Sequence, residues 1–145
     1  MSDHLPTALA EIREEFLAVT VPERLQLLLE FSKELPGLPG RYADHPDLME
    51  RVVECQSPVY IFTEVDGDGL VHIHATAPEQ APTTRGFASV LAQGLDGLTV
   101  DEALAVPDDY PLDLGLTEAV SPLRMRGMVA MLGRVKRRLR AENAA

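Results

Sequence analysis

An α+β domain is what this sequence predicts. Helical periodicity at both ends of the chain encloses two alternating runs, and Asp66-Gly67-Asp68-Gly69 joins those runs into an antiparallel hairpin. The 145 residues, 46% of them hydrophobic, are enough for one ordinary core and too few for two. A single domain over 1–145 is therefore expected.

Leu9, Ile12, Phe16 and Val19 recur at spacings of three and four and mark the apolar face of a first helix. Thr20 followed by Glu23 fits a capping box, with Pro22 tolerated in the first turn, so a second helix runs to about Leu35 with Leu25, Leu28, Leu29 and Leu35 facing the core. Pro36, Gly37, Pro39 and Gly40 end it, and the polar stretch through Pro46 is expected as loop.

Val59, Ile61 and Val65 then alternate with Tyr60, Phe62 and Glu64, which predicts a central strand over Pro58 to Val65. After the turn, Leu70 to Ala77 returns with Val71, Ile73 and Ala75 on one face and His72, His74 and Thr76 on a solvated one. The DGDG stretch does not suit a calcium loop, because Ala77 stands where the closing glutamate belongs. Two imidazoles on one strand face could hold zinc with a third ligand, but no other His, Cys or Glu has matching spacing, so no metal site is assigned.

Beyond the crossing at 78–82, Phe87, Val90 and Leu91 mark a helix ending near Gly94, and Thr99 caps a short one from Val100 to about Ala105. Asp108 to Leu116 is expected as loop or turn. Ser121 as N-cap with Pro122 behind it opens the last helix, which runs to about Ala141 on a stripe of Met125, Met128, Leu132, Val135 and Leu139.

The net charge of -10 excludes phosphate-driven nucleic-acid binding, which needs a basic footprint. No apolar run approaches the roughly 20 residues that span a bilayer. No amino-terminal stretch has the pattern of a signal peptide, and a single cysteine excludes a disulfide framework, so a reducing cytoplasm is the expected compartment. The charge is divided: residues 1–120 carry 6 basic and 22 acidic residues, and residues 121–145 carry 7 basic residues against Glu142 alone. Lys136, Arg137, Arg138 and Arg140 are read first as complementing the helix dipole and second as a docking surface.

The one cysteine, Cys55, lies in a polar break, Glu54-Cys55-Gln56-Ser57, ahead of Pro58. A structural cysteine sits among apolar neighbours at regular spacing, whereas this one belongs on a connection, with Ser57 held extended by the proline. A lone thiol can act as nucleophile or sulfur acceptor, and its oxidised partner must come from another molecule. No phosphate loop, serine nucleophile elbow or paired-histidine protease motif is present.

Four blocks taken together resemble the SufE family of cysteine desulfuration proteins: Val52-Val53-Glu54-Cys55-Gln56-Ser57-Pro58-Val59-Tyr60, Arg85-Gly86-Phe87, Leu114-Gly115-Leu116-Thr117, and Ser121 through Met128. They stand in family order and span nearly the whole chain. The resemblance implies a SufE/IscU-like fold of about three antiparallel strands, with a short first strand near Met49 to Val53 and the acceptor at a loop tip. It implies that Cys55 takes a persulfide from a SufS-like, pyridoxal-phosphate-dependent cysteine desulfurase, stimulates it, and passes sulfur to a SufBCD-like iron–sulfur scaffold or another acceptor. The chain would bind no cofactor itself and would be a carrier and activator rather than an independent multiple-turnover enzyme. By position Arg124 matches the family's arginine of the last helix, and Glu54, Gln56, Ser57 and Arg124 become the expected partner-binding residues. Glu54 departs from a frequent glycine, Tyr60 from tryptophan, Gln80 from an acidic residue and Ala119 from histidine. Glu54 weighs most, since an adjacent carboxylate disfavours a thiolate.

Other classes compete with this reading. One cysteine cannot hold an iron–sulfur cluster as a scaffold does. A one-cysteine peroxidase needs a cation beside its thiolate, and only Arg51 is near in sequence. An acidic interaction module would leave Cys55 incidental.

Overall fold

The computed structural model describes residues 5–144 and has six helices around a three-stranded sheet. The helices are α1 (Thr7–Leu17), α2 (Val21–Lys33), α3 (Gly40–Ala43), α4 (Pro82–Gly94), α5 (Val100–Leu104) and α6 (Pro122–Ala144); the strands are β1 (Glu50–Arg51), β2 (Tyr60–Val65) and β3 (Val71–Thr76). All pairings are antiparallel in the order β1-β2-β3, with Arg51 opposite Tyr60 and Phe62 opposite His74, so β2 is central. The α+β class and the short first strand agree with expectation.

Period-two burial sets the layering. Val59, Ile61, Thr63, Val71, Ile73 and Ala75 are buried against the helices, and α4 and α6 pack on that face of the sheet. On the opposite face Tyr42 of α3 covers Phe62 and His74, with ring centroids 4.9 Å from each. The expected loop before Pro46 therefore contains a helical turn that caps the sheet. Leu25 and Leu29 are only half-buried, whereas Leu28 and Leu35 are core. The narrower face follows from α2 packing chiefly on α4, with a smaller contact to α1. Within the expected loop or turn, Tyr110–Leu114 forms a 3₁₀ turn, fixed by the buried Tyr110 hydroxyl, which donates to the Leu9 carbonyl at 2.7 Å.

Two arginines tie distant elements. Arg85 donates from Nε to the Ser32 carbonyl at 2.9 Å and from Nη1 to the Ala77 carbonyl at 2.7 Å, joining the ends of α2 and β3. Arg24 donates to the carbonyls of Phe16 and Gly115, and Gly115 takes φ 69°, a conformation that favours glycine. Capping at Thr20 and Thr99 is as expected: each backbone N–H donates to the carboxylate of its glutamate partner, Glu23 or Glu102, at 2.9 Å. Ser121 Oγ accepts from the Arg124 N–H at the start of α6.

The last-helix cations do not serve the dipole. Because α6 runs on to Ala144, Lys136 is two turns short of its end, and the dipole acts only over the last turn. Lys136 is instead buried, donating to the Val106 carbonyl and to Asp108 at 2.6 Å each. Arg137 pairs with Glu50, and Arg138 lies over the Phe62 ring. The basic helix is held by the acidic body of its own chain.

The histidine face is not simply solvated either. His72 Nδ1 lies 2.7 Å from Asp96 and its Nε2 2.7 Å from Asp66, while His74 Nε2 lies 2.7 Å from Glu64. Among the described residues no group of three or more His, Cys, Asp or Glu is placed to hold a metal, and no helix is long and apolar enough to cross a membrane. Asp96 first and Asp66 second raise the His72 pKa above its ordinary value, and His72 in turn holds Asp66 below its own. A raised histidine stabilises the fold fully below its unfolded pKa of about 6.5, and that contribution is lost as pH rises through the folded value. The stability advantage of the native chain over a His72→Gln variant, about 1–2 °C in Tm for so exposed a pair, should thus be present at about pH 6 and shrink by about pH 9. Thermal melts at the two pH values measure it, and a constant difference would exclude the ion pairs as its source.

Candidate functional site

Cys55 ends a single 3₁₀ turn, Val53–Cys55, in the connection between antiparallel β1 and β2. Val52 anchors the loop from inside: it is fully buried, and its N–H donates to the Val59 carbonyl at 2.8 Å. The Cys55 N–H returns to the Val52 carbonyl at 3.1 Å, which brings the thiol back toward the core. Gln56 then takes φ 61° and ψ -38°, and the Ser57 N–H donates to the Cys55 carbonyl at 2.6 Å. That is the rare γ-turn of positive φ, which costs a side-chain-bearing residue about 1–3 kcal/mol. Gln56 is the only described non-glycine residue with positive φ. The strain is local to the thiol.

The thiol is half-buried and packs against α6. It is seated on Gly127, where an added Cβ would lie 2.9 Å from Cys55 Sγ and 3.4 Å from its Cα. Any larger residue at 127 would have to displace the loop or the sulfur. Burial first, and the Glu54 carboxylate second, push the Cys55 pKa up to about 11, while Arg134 acts in the opposite direction. In this position the group is a protonated thiol near neutral pH.

Cys55, Gln56, Ser57 and Arg124 line one cavity of about 610 Å³ between the loop and the starts of α4 and α6. Gln80, Thr83, Thr84 and Ser121 add to its polar lining, and Arg124 is exposed. Glu54 is not in that cavity. It lines an adjoining apolar groove of about 580 Å³ with Leu112, Met125 and Arg126, and its carboxylate faces Arg134 at 2.9 Å. A hydrogen bond from its own backbone N–H, and then Arg134, hold Glu54 below the usual carboxylate range. Val53, beside it, leaves 64% of its surface exposed. Of the other departures, Gln80 borders the thiol cavity, whereas Tyr60 and Ala119 are half-buried and outside it.

Sequence reasoning missed Arg134 and Gly127's part in the site. Arg134 is 79 residues from Cys55 and reaches the loop only because α6 crosses behind it. The available signal was the spacing of seven between Gly127 and Arg134, which puts both on one face of α6.

The sequence model described as "SufE: Fe-S metabolism associated domain" matches residues 10–139. An uncharacterized SufE-like protein of Mycobacterium tuberculosis is 51% identical over 136 residues, covering 94% of each chain. SufE-like protein 1, chloroplastic/mitochondrial, of Arabidopsis thaliana is 30% identical over 131 residues, which are 90% of this chain and 34% of that one. Among solved structures, a hypothetical protein of Thermus thermophilus superposes with a TM-score of 0.84 at 33% identity, covering 97% of this chain and 99% of the other.

Proposed function

The chain belongs to the SufE family of Fe-S metabolism, and from that premise we propose that Cys55 accepts sulfur from the persulfide of a cysteine desulfurase and carries it toward iron–sulfur cluster assembly. The observation that carries the reading is a lone thiol, half-buried on Gly127, in a loop strained at the next residue and opening on a cavity shared with Arg124. With a pKa of about 11 only about one thiol in ten thousand is ionised at pH 7, against a few per cent for a free cysteine. The seated thiol is therefore the protected form. Transfer requires the loop to leave α6, which relieves both the burial and the positive φ at Gln56.

In the transfer step the Cys55 thiolate attacks the outer sulfur of the desulfurase persulfide. A new S–S bond forms on Cys55, the old one breaks, and the electron pair leaves on the desulfurase thiolate. With no second cysteine in the chain, no internal thiol can discharge the product. Reseating against α6 would shield it from reductants and oxidants. The chain itself supplies only the thiol and its surroundings; pyridoxal phosphate belongs to the desulfurase, and a SufBCD-like scaffold is the proposed recipient, in a reducing cytoplasm. The raised thiol pKa speaks against the peroxidase alternative, which needs a stabilised thiolate.

Incubation with a desulfurase and free cysteine should add one reductant-labile sulfur to the chain and accelerate alanine release. No added mass would remove the carrier reading. Docking is proposed at Gln56, Ser57 and Arg124 around the cavity, with Glu54 at its edge. Because Arg124 is exposed, Arg124→Ala should weaken binding to the desulfurase about tenfold with no change in Tm. Titration calorimetry measures this, and equal affinity would place Arg124 outside the interface.

A further inference from the structure

We propose that Arg134 is a positioning residue whose guanidinium clamps the Cys55 loop shut by bridging Glu50 at the root of the loop to Glu54 beside the thiol. Arg134 Nη1 lies 2.9 Å from Glu54 Oε1, and Nε lies 3.2 Å from Glu50 Oε2. The Nε contact is off the hydrogen-bond line and leaves that buried N–H without a hydrogen-bonded partner, so Glu50 contributes charge and Glu54 the closer contact. The Arg134 side chain is 12% exposed, whereas the two carboxylates are 45% and 44% exposed. The cation is the fixed part, built into α6, and the Glu54 carboxylate is the part that can leave.

The placement gives the clamp its purpose. Gly127 and Arg134 are seven residues apart on one face of α6, so one helix presents both the seat for the sulfur and the cation for the residue before it. Glu54 would otherwise set an uncompensated negative charge next to a group that must ionise to react. With the loop closed Arg134 offsets that charge in part, and opening breaks the pair.

This inference deepens the sulfur-acceptor reading, but its test uses the isolated full chain and no desulfurase, so either can fail without the other. The readout is the rate at which iodoacetamide alkylates Cys55. Since the seated thiol is protonated and half-buried against Gly127, alkylation proceeds mainly from the opened loop and its rate follows the opened population. Arg134→Gln should raise the rate about three- to fivefold at low ionic strength, in keeping with loss of a partly exposed ion pair. At about 1 M salt, where such a pair is screened, the native chain should approach the variant's rate while the variant stays where it was. Arg134→Lys should restore part of the protection, and Arg134→Gln should add almost nothing in a Glu54→Gln background. A native rate in Arg134→Gln, or an acceleration that is the same at high salt and in the Glu54→Gln background, would overturn the clamp.

Discussion

Cys55→Ser should abolish both the sulfur gained from a desulfurase and the acceleration of alanine release, and it should leave the melting temperature within about 3 °C of the native chain. The chemistry requires the first result. A serine hydroxyl is not ionised near neutral pH, and its oxygen cannot carry a sulfane sulfur through thiol exchange. The packing requires the second. The sulfur is only half-buried, it touches a glycine, and the smaller oxygen overfills nothing. The loop is anchored by Val52 and by backbone hydrogen bonds that the substitution leaves in place. Mass spectrometry of the chain after incubation and alanine assays on the mixture read the two activities separately. If the variant gained no sulfur yet stimulated the desulfurase fully, binding alone would account for the stimulation, and the carrier role of Cys55 would be wrong.

The parts of this molecule that depend on neighbours in the chain were legible in the sequence. Periods of three and four located α1, α4 and α6, alternation located β2 and β3, and the polar break around Cys55 located a connection. Contacts between distant segments were not legible. The cations of α6 have a periodicity that suits a solvated face, yet Lys136 is buried on Asp108 and Arg134 on the Cys55 loop, because the helix end continues past them and the acidic body folds around them. His72 alternates as a surface residue should, and only the approach of the α4–α5 connection supplies Asp96. Glu54 looked simply unfavourable beside a thiol. Its compensation lies on another element, where no local pattern could announce it. The γ-turn at Gln56 was hidden for a related reason, since glutamine carries no propensity for positive φ and the loop imposes it.

Gly86→Ala should destabilise the chain by about 2–3 kcal/mol, lowering Tm by about 5–10 °C, even though alanine is the better helix former. Helix propensity alone favours alanine over glycine by about 1 kcal/mol inside a helix. At Gly86 that gain is outweighed, because α4 crosses α2 so closely that a Cβ would overlap the backbone carbonyl oxygen of Leu28 and press on its Cγ and Cδ1 at 3.0 Å. A side-chain tip could turn aside, but a helix carbonyl cannot, so the two helices must separate. Their separation would also loosen Arg85, whose guanidinium spans Ser32 and Ala77 one residue away, and the seating of Phe87, which is fully buried. Gly133 is the matched control. It lies inside α6 with nothing within 4 Å of an added Cβ, so Gly133→Ala should raise stability by about 0.5–1 kcal/mol. Urea titrations of the two variants should therefore shift in opposite directions. A gain at both positions would mean that the α2–α4 crossing yields without cost and that the glycine in the Arg85-Gly86-Phe87 block is not held there by close approach of the helices.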